Sequence, residues 1–173
     1  MIEYVALVNK GLVHTTCDDS ILVGHNVISN GKLMGCEDRD EGVFAVADGV
    51  GGLPFSELAS REILRNIAEC NARNKEEIIN CVEKGNEKIL SIRNQRKLFP
   101  NISSTLCIVA LLEDEITTYN LGNSRAYRFR DGVLFFVEGV ERVIEYRDGV
   151  SRFGNYLFVR ENDRLCEWWF ALS

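Results

Sequence analysis

The apolar positions of this chain follow a period of two, then a period near 3.6, then a period of two again, and that order predicts its architecture. From Glu3 to Val8 apolar and polar residues alternate weakly ahead of Gly11. Ile21-Leu22-Val23 continues an apolar run behind the acidic pair Asp18-Asp19, so both stretches are expected as strands. Asn30-Gly31, two residues that tolerate positive φ, lies between Val27-Ile28 and Leu33-Met34 and predicts a hairpin there. Gly42 to Ala47 is wholly apolar and then stops at Asp48-Gly49-Val50-Gly51-Gly52. A run of that length without polar breaks predicts a buried strand ending in a glycine-rich turn.

From Ser56 the spacing becomes helical, with Leu58, Ile63, Leu64 and Ile67 on one face, Ser56 as the expected cap and Glu57 in the first turn. A second helix is expected from about Lys75 to about Arg93, because Ile78, Ile79, Val82, Ile89 and Ile92 share a face and Lys, Glu and Asn take the other. The polar stretch Asn94 to Ser103, with Pro100, ends this pair. Strands are then predicted at Thr105 to Leu112, Glu115 to Leu121, Ala126 to Phe129 and Val133 to Val137, with further candidates at Val143 to Tyr146, Tyr156 to Val159 and Leu165 to Leu172. Turns at Glu113-Asp114 and Arg130-Asp131-Gly132 make a meander of antiparallel hairpins the economical topology. Strands, a helix pair and then strands again is an α+β pattern, expected as two packed antiparallel sheets with helices outside.

Composition narrows the function classes without choosing among them. At 173 residues, with 46% apolar and 27% charged residues, the chain suits one globular domain with one core. A net charge of -6 disfavours a binder of nucleic-acid phosphates. No window approaches the roughly 20 apolar residues of a membrane-spanning helix, and no basic start followed by an apolar core opens the chain, so a cytoplasmic protein is expected. The six cysteines, Cys17, Cys36, Cys70, Cys81, Cys107 and Cys166, contain no CxxC pair. They offer no spacing for zinc or redox chemistry, and Cys70, Cys81 and Cys107 fall at apolar positions where cysteine serves as a small hydrophobe.

Three stretches carry chemistry. Asp48 ends a buried strand beside glycines that bare their carbonyls, which suits a hard cation such as Mg²⁺ or Mn²⁺, with Asp48 supplying a carboxylate and Gly49 a carbonyl. The plain alternative is a strand-terminating Asp-Gly turn. Asp18-Asp19 places two like charges side by side, an arrangement that a cation or hydrogen-bond donors would offset, against the alternative of an exposed polar turn. The third is Leu121-Gly122-Asn123-Ser124-Arg125-Ala126-Tyr127, a step between two strands whose alternative is a bulged hairpin.

Taken in order, these stretches resemble the metal-dependent protein serine/threonine phosphatases of the PPM or type 2C family. Lys10 to Ser20 is similar to that family's opening Arg-x-x-Asn-Glu-Asp region, and Asp48-Gly49-Val50-Gly51-Gly52 to its Asp-Gly-Met-Gly-Gly. Ser103-Ser104-Thr105-Leu106 resembles its threonine-rich strand, and Gly122-Asn123-Ser124-Arg125-Ala126-Tyr127 its Gly-Asp-Ser-Arg. The resemblance runs from Gly11 to Gly132. It implies an αββα sandwich with two Mg²⁺ or Mn²⁺ ions at the sheet ends, where a metal-bound water attacks phosphoserine or phosphothreonine directly. Carried onto this chain, it implies that Asp48 bridges both ions, that Gly49 and Asp18 complete one of them, and that Asp19, Asn123 and Arg125 support the site.

The departures from the family pattern matter as much. His14 stands where the resemblance implies a phosphate-gripping arginine, and imidazole lacks the bidentate charged fork of guanidinium. Asp18 replaces a glutamate and Asn123 an aspartate. The family's later Ser-Asp-Gly and final Asp-Asn have no counterpart; Asn162 to Ser173 looks like the strand leading into the first of them. The expectation is therefore a single domain over residues 1–173, incomplete at its C-terminal end, holding one cation or none. Three readings follow: an impaired phosphatase acting on a phosphoprotein, a non-catalytic signalling module that binds one, and a β-rich structural protein whose turns match by coincidence. Trp168-Trp169 is expected at an unfinished sheet edge through which two copies could pair.

Overall fold

A computed structural model describes residues 1–12, 15–38, 41–50, 55–95, 102–112, 115–130, 133–138, 142–145, 156–161 and 167–171. His14, Gly51, Gly52 and Asp163 lie outside the described residues. The elements run β1 (Ile2–Val8), β2 (Asp19–Val23), β3 (Asn26–Ile28), β4 (Gly31–Glu37), β5 (Gly42–Asp48), α1 (Ser56–Cys70), α2 (Lys75–Gln95), β6 (Leu106–Leu112), β7 (Glu115–Leu121), β8 (Arg125–Arg130), β9 (Val133–Glu138), β10 (Arg142–Glu145), β11 (Tyr156–Glu161) and β12 (Glu167–Ala171). They build a 7-stranded sheet in the order β10-β9-β8-β12-β11-β1-β4 and a 5-stranded sheet in the order β3-β2-β5-β6-β7. All the pairings are antiparallel, and the α+β expectation holds.

The unbroken apolar runs of β5 and β6 are explained by burial on both faces. Phe44, Val46, Cys107, Val109 and Leu111 meet Ile2, Tyr4, Ala6 and Val8 of β1 in the core between the sheets. Ala45, Ala47, Ile108 and Ala110 point the other way and meet Ala59, Ile63, Leu64 and Ile67 of α1 and Ile78 and Cys81 of α2. Alanines on this face let the helices approach closely. Leu64 and Ile78 are fully buried there, each burial stabilising by about 1.5–3 kcal/mol. Among the described residues α1 and α2 are the helices, and neither is long and apolar enough to cross a membrane.

The structure departs from the predicted connections in four places. Asn30-Gly31 is not the tip of a hairpin: β3 pairs with β2 in the smaller sheet, whereas β4 pairs with β1 in the larger. Ile28 and Leu33 both pack against the core between the sheets, and only a crossing lets flanking strands supply that core from opposite sides. The hairpin lies instead at Gly24-His25, between Val23 and its partner Asn26. The predicted meander is likewise interrupted, because β6 pairs with β7 and β8 with β9, while Gly122 to Ser124 carries the chain from one sheet to the other. Ser56 does not cap α1. Phe55 holds the N-cap position with φ 71°, without a side-chain cap, and Ser56 is buried in the first turn. Finally, β12 is hydrogen-bonded on both sides, to β11 and to β8, so Trp168 and Trp169 do not form a sheet edge. The edges of that sheet are β10 and β4.

Candidate functional site

Two strands deliver the acidic residues to one place because they run antiparallel: β5 ends where β2 begins, and the register sets Asp19 directly opposite Asp48. Side chains of directly opposed residues share a face of the sheet and stand within reach of each other. The Asp19 carboxyl acts on Asp48 both by its charge and as a hydrogen-bond partner. Burial pushes the Asp48 carboxyl up to about 7, helped by the charge of Asp19, by that hydrogen bond and by the charge of Asp18. In the metal-free chain, repulsion between the carboxylates is thus relieved by holding a proton near neutrality.

The residue facing Asp48 is Asp19, whereas Asp18 is anchored through its backbone. The Asp18 carbonyl accepts from Gly49 N–H at 3.0 Å and from Ser60 Oγ at 2.5 Å. Ser60 is fully buried on α1, and its hydroxyl also lies 3.2 Å from that of Ser20, which in turn meets Ser29 at 2.8 Å. The helix is thereby tied to the acidic turn. Gly49 is required at its position by space: a Cβ there would collide with the Ser56 carbonyl oxygen and lie 2.8 Å from that of Asp18. No side chain fits between the strand end and the first turn of α1.

The other side of Asp48 is bonded to the segment before β6. Thr105 N–H donates to the Asp48 carbonyl at 2.8 Å, Ser104 Oγ donates to the same oxygen at 3.0 Å, and Asp48 N–H donates to Thr105 Oγ1 at 3.1 Å. Thr105 Oγ1 lies 2.6 Å from Ser124 Oγ. The stretch Ser103-Ser104-Thr105 was legible as a polar lead into a strand, but its grip on Asp48 was not. Asn123 and Arg125 flank the buried Ser124 and are themselves exposed. With Asn120, Tyr127 and Phe136 they line a cavity of about 300 Å³, in which the Arg125 guanidinium lies 5.8 Å from the Phe136 ring centre. A larger cavity, about 690 Å³, lies at the opposite end of β5 beside Gly42, His25 and Arg73 and contains none of the predicted site residues.

Two half-buried carboxylates in mutual contact beside a bare glycine backbone form an oxygen donor set that fits one hard divalent cation, which would keep several waters. Among the described residues, no group of three or more His, Cys, Asp or Glu side chains is gathered to hold a metal ion. The described carboxylates by themselves therefore make only part of a ligand set. Cys81 and Cys107 are buried thiols pushed up to about 12, chiefly by burial, as inert small hydrophobes should be.

No family model and no curated protein sequence matches the chain. Solved structures do. The chain superposes on the serine/threonine phosphatase PstP/Ppp of Mycobacterium tuberculosis with a TM-score of 0.68 at 18% identity, covering 98% of this chain and 77% of that one. A structure of the PstP catalytic domain in complex with two manganese ions matches with a TM-score of 0.63 at 19% identity, over 93% of this chain and 74% of that one. The PPM Ser-Thr phosphatase MsPP of Mycobacterium smegmatis, in complex with cacodylate, matches with a TM-score of 0.60 at 17% identity, over 92% and 76%. The chain has the fold of the PPM serine/threonine phosphatases.

Proposed function

We propose that this chain is a metal-dependent protein serine/threonine phosphatase domain of the PPM type, of reduced capacity, that takes one Mg²⁺ or Mn²⁺ ion between Asp48 and Asp19. The observation that carries the reading is the opposed Asp19-Asp48 pair at the end of β5, on a fold whose similar structures are phosphatases, one of them with manganese bound. A bound divalent cation would supply the charge that acidifies a coordinated water and offsets the negative phosphoryl oxygens. The protein's own part is positional. Asp48, on losing its proton, and Asp19 would hold the ion, Asp18 would add negative charge from the next position, and the bonds to the Asp48 and Asp18 backbones keep the turn from swinging away.

A second reading is a phosphoprotein-binding module without turnover. It is favoured by the donor count, since the described residues gather no group of three or more metal-ligating side chains while a two-ion clamp needs more. Calorimetry with Mn²⁺ and hydrolysis of p-nitrophenyl phosphate and a phosphothreonine peptide test both. The expected result is weak one-to-one Mn²⁺ binding, lost in Asp48→Ala, with slow Mn²⁺-dependent turnover also lost in that variant. Binding of the phosphopeptide with no turnover selects the module. Absence of Mn²⁺ binding by the wild-type chain ends the phosphatase reading, and absence of phosphopeptide binding ends the module.

A further inference from the structure

Thr105 and Ser124 come from different sheets, yet their hydroxyls meet at 2.6 Å in the interior, with Thr105 8% exposed and Ser124 fully buried. Thr105 immediately precedes β6 and Ser124 immediately precedes β8, so the contact spans the sandwich at the end where Asp48 sits. The same Thr105 oxygen accepts the Asp48 N–H at 3.1 Å while the Thr105 N–H donates to the Asp48 carbonyl at 2.8 Å. One residue thus holds both ends of the strand's last peptide units. The crossing turn is shaped to allow this: Gly122 has φ +99°, and a Cβ on it would lie 2.8 Å from Thr105 Cγ2. The Thr105 methyl is packed under a glycine and its hydroxyl is aimed between Asp48 and Ser124.

From this geometry we infer that Thr105 and Ser124 are positioning residues for the cation site: a buried hydroxyl relay, running from Ser124 through Thr105 to Asp48 N–H, sets the direction of the Asp48 carboxylate. The inference rests on the reading of Asp48 as a cation ligand. A strand end is where a backbone frays most readily. Asp48 is paired with Asp19 on the β2 side but lies past the last β5 and β6 pair, Val46 and Cys107, so on the β6 side its backbone is held by the bonds to Ser104 and Thr105. Partners that orient a metal ligand typically change metal affinity by about 10–100-fold when removed. Thr105→Val removes the relay with little change of shape, Thr105→Ser keeps the hydroxyl and discards the methyl, and Ser124→Ala removes the outer end alone.

The experiment is Mn²⁺ titration by calorimetry at 10 °C, with thermal unfolding recorded for each metal-free variant and hydrogen exchange followed at the Asp48 amide. Thr105→Val is expected to bind Mn²⁺ about 10–100-fold more weakly and to lose protection at that amide, while Thr105→Ser stays within about threefold of wild type. A residue that merely staples the sheets would lower the unfolding temperature and leave Mn²⁺ affinity unchanged in the folded variant; that outcome overturns the inference. Equal losses in Thr105→Ser and Thr105→Val overturn it as well, because methyl packing would then be the cause. If Thr105→Val does not fold, Ser124→Ala decides, with weakening of about threefold or more supporting the relay and wild-type affinity overturning it. A wild-type chain that takes up no Mn²⁺ overturns the cation reading and the relay together, whereas normal uptake matched by the variants overturns the relay alone.

Discussion

The two ends of β5 are built from the same strand by opposite means. At the Gly42 end the strand opens onto a broad cavity, where exposed His25 reaches the Ala68 carbonyl at the end of α1 with a bond of 3.2 Å. At the Asp48 end, beside the acidic pair, hydroxyls and peptide groups are bonded to fixed partners, from Ser60 on α1 to Ser124 ahead of β8. Apolar packing cannot orient a carboxylate, whereas directional hydrogen bonds can. The contrast teaches that the polar end is over-determined for geometry, as a site holding repelling charges must be, and that the open end carries no such demand.

The largest effect expected to separate the two ends comes from adding one methyl group to each. In Gly49→Ala the new Cβ meets backbone oxygens of Ser56 and Asp18, which cannot swing aside. In Gly42→Ala it meets the ring of the buried Phe44 at 2.9 Å, a side chain that must shift but, unlike backbone, can turn about its own bonds. Overpacking costs about 1–3 kcal/mol, and Gly49→Ala is expected at or above the top of that range with Gly42→Ala at the bottom. Urea midpoints at unchanged slope measure both. Equal midpoints would show the Asp48 end to be as yielding as the other.

A smaller effect is expected from pH. The folded Asp48 carboxyl, raised by burial first and by its acidic neighbours next, titrates at about 7, above the roughly 3.9 of an unfolded aspartate. The folded chain therefore holds this proton longer than the unfolded chain. The stability it contributes is complete below about pH 4 and is lost as pH rises through about 7. Thermal unfolding of the metal-free chain between pH 5 and pH 8 should show wild type losing ground relative to Asp48→Asn, and Mn²⁺ at pH 8 should restore it to wild type only. A pH-independent difference between the two proteins would show that the proton is not held there.

The smallest effect belongs to the open end. His25→Ala removes an exposed contact and is expected to change stability by no more than about 0.5 kcal/mol and to leave Mn²⁺ affinity untouched. A loss of Mn²⁺ binding in that variant, read by the same calorimetry, would connect the two ends of β5 and dissolve the comparison.

What the sequence determined by itself was local. The helix pair from Ser56 and from Lys75, the buried strand around Phe44, the strand around Val109 and the carboxylate at the end of β5 followed from periodicity and from the abrupt Asp48-Gly49 stop, because these depend on neighbours a few residues away. The order of motifs also pointed to the PPM fold. The tertiary structure decided which strands pair. Asn30-Gly31 and Gly122 to Ser124 have the residues of hairpin turns, but a turn sequence specifies only that the chain reverses, and burial of Ile28, Leu33 and Ala126 in one shared core sends the flanking strands to opposite sheets. The same level decided that Asp19 faces Asp48, since side chains in a strand alternate and a shift of one residue would have exchanged its place with Asp18. It also brought Ser124 to Thr105. Nothing in the spacing of those two residues foretold a contact that exists only where two sheets close on each other.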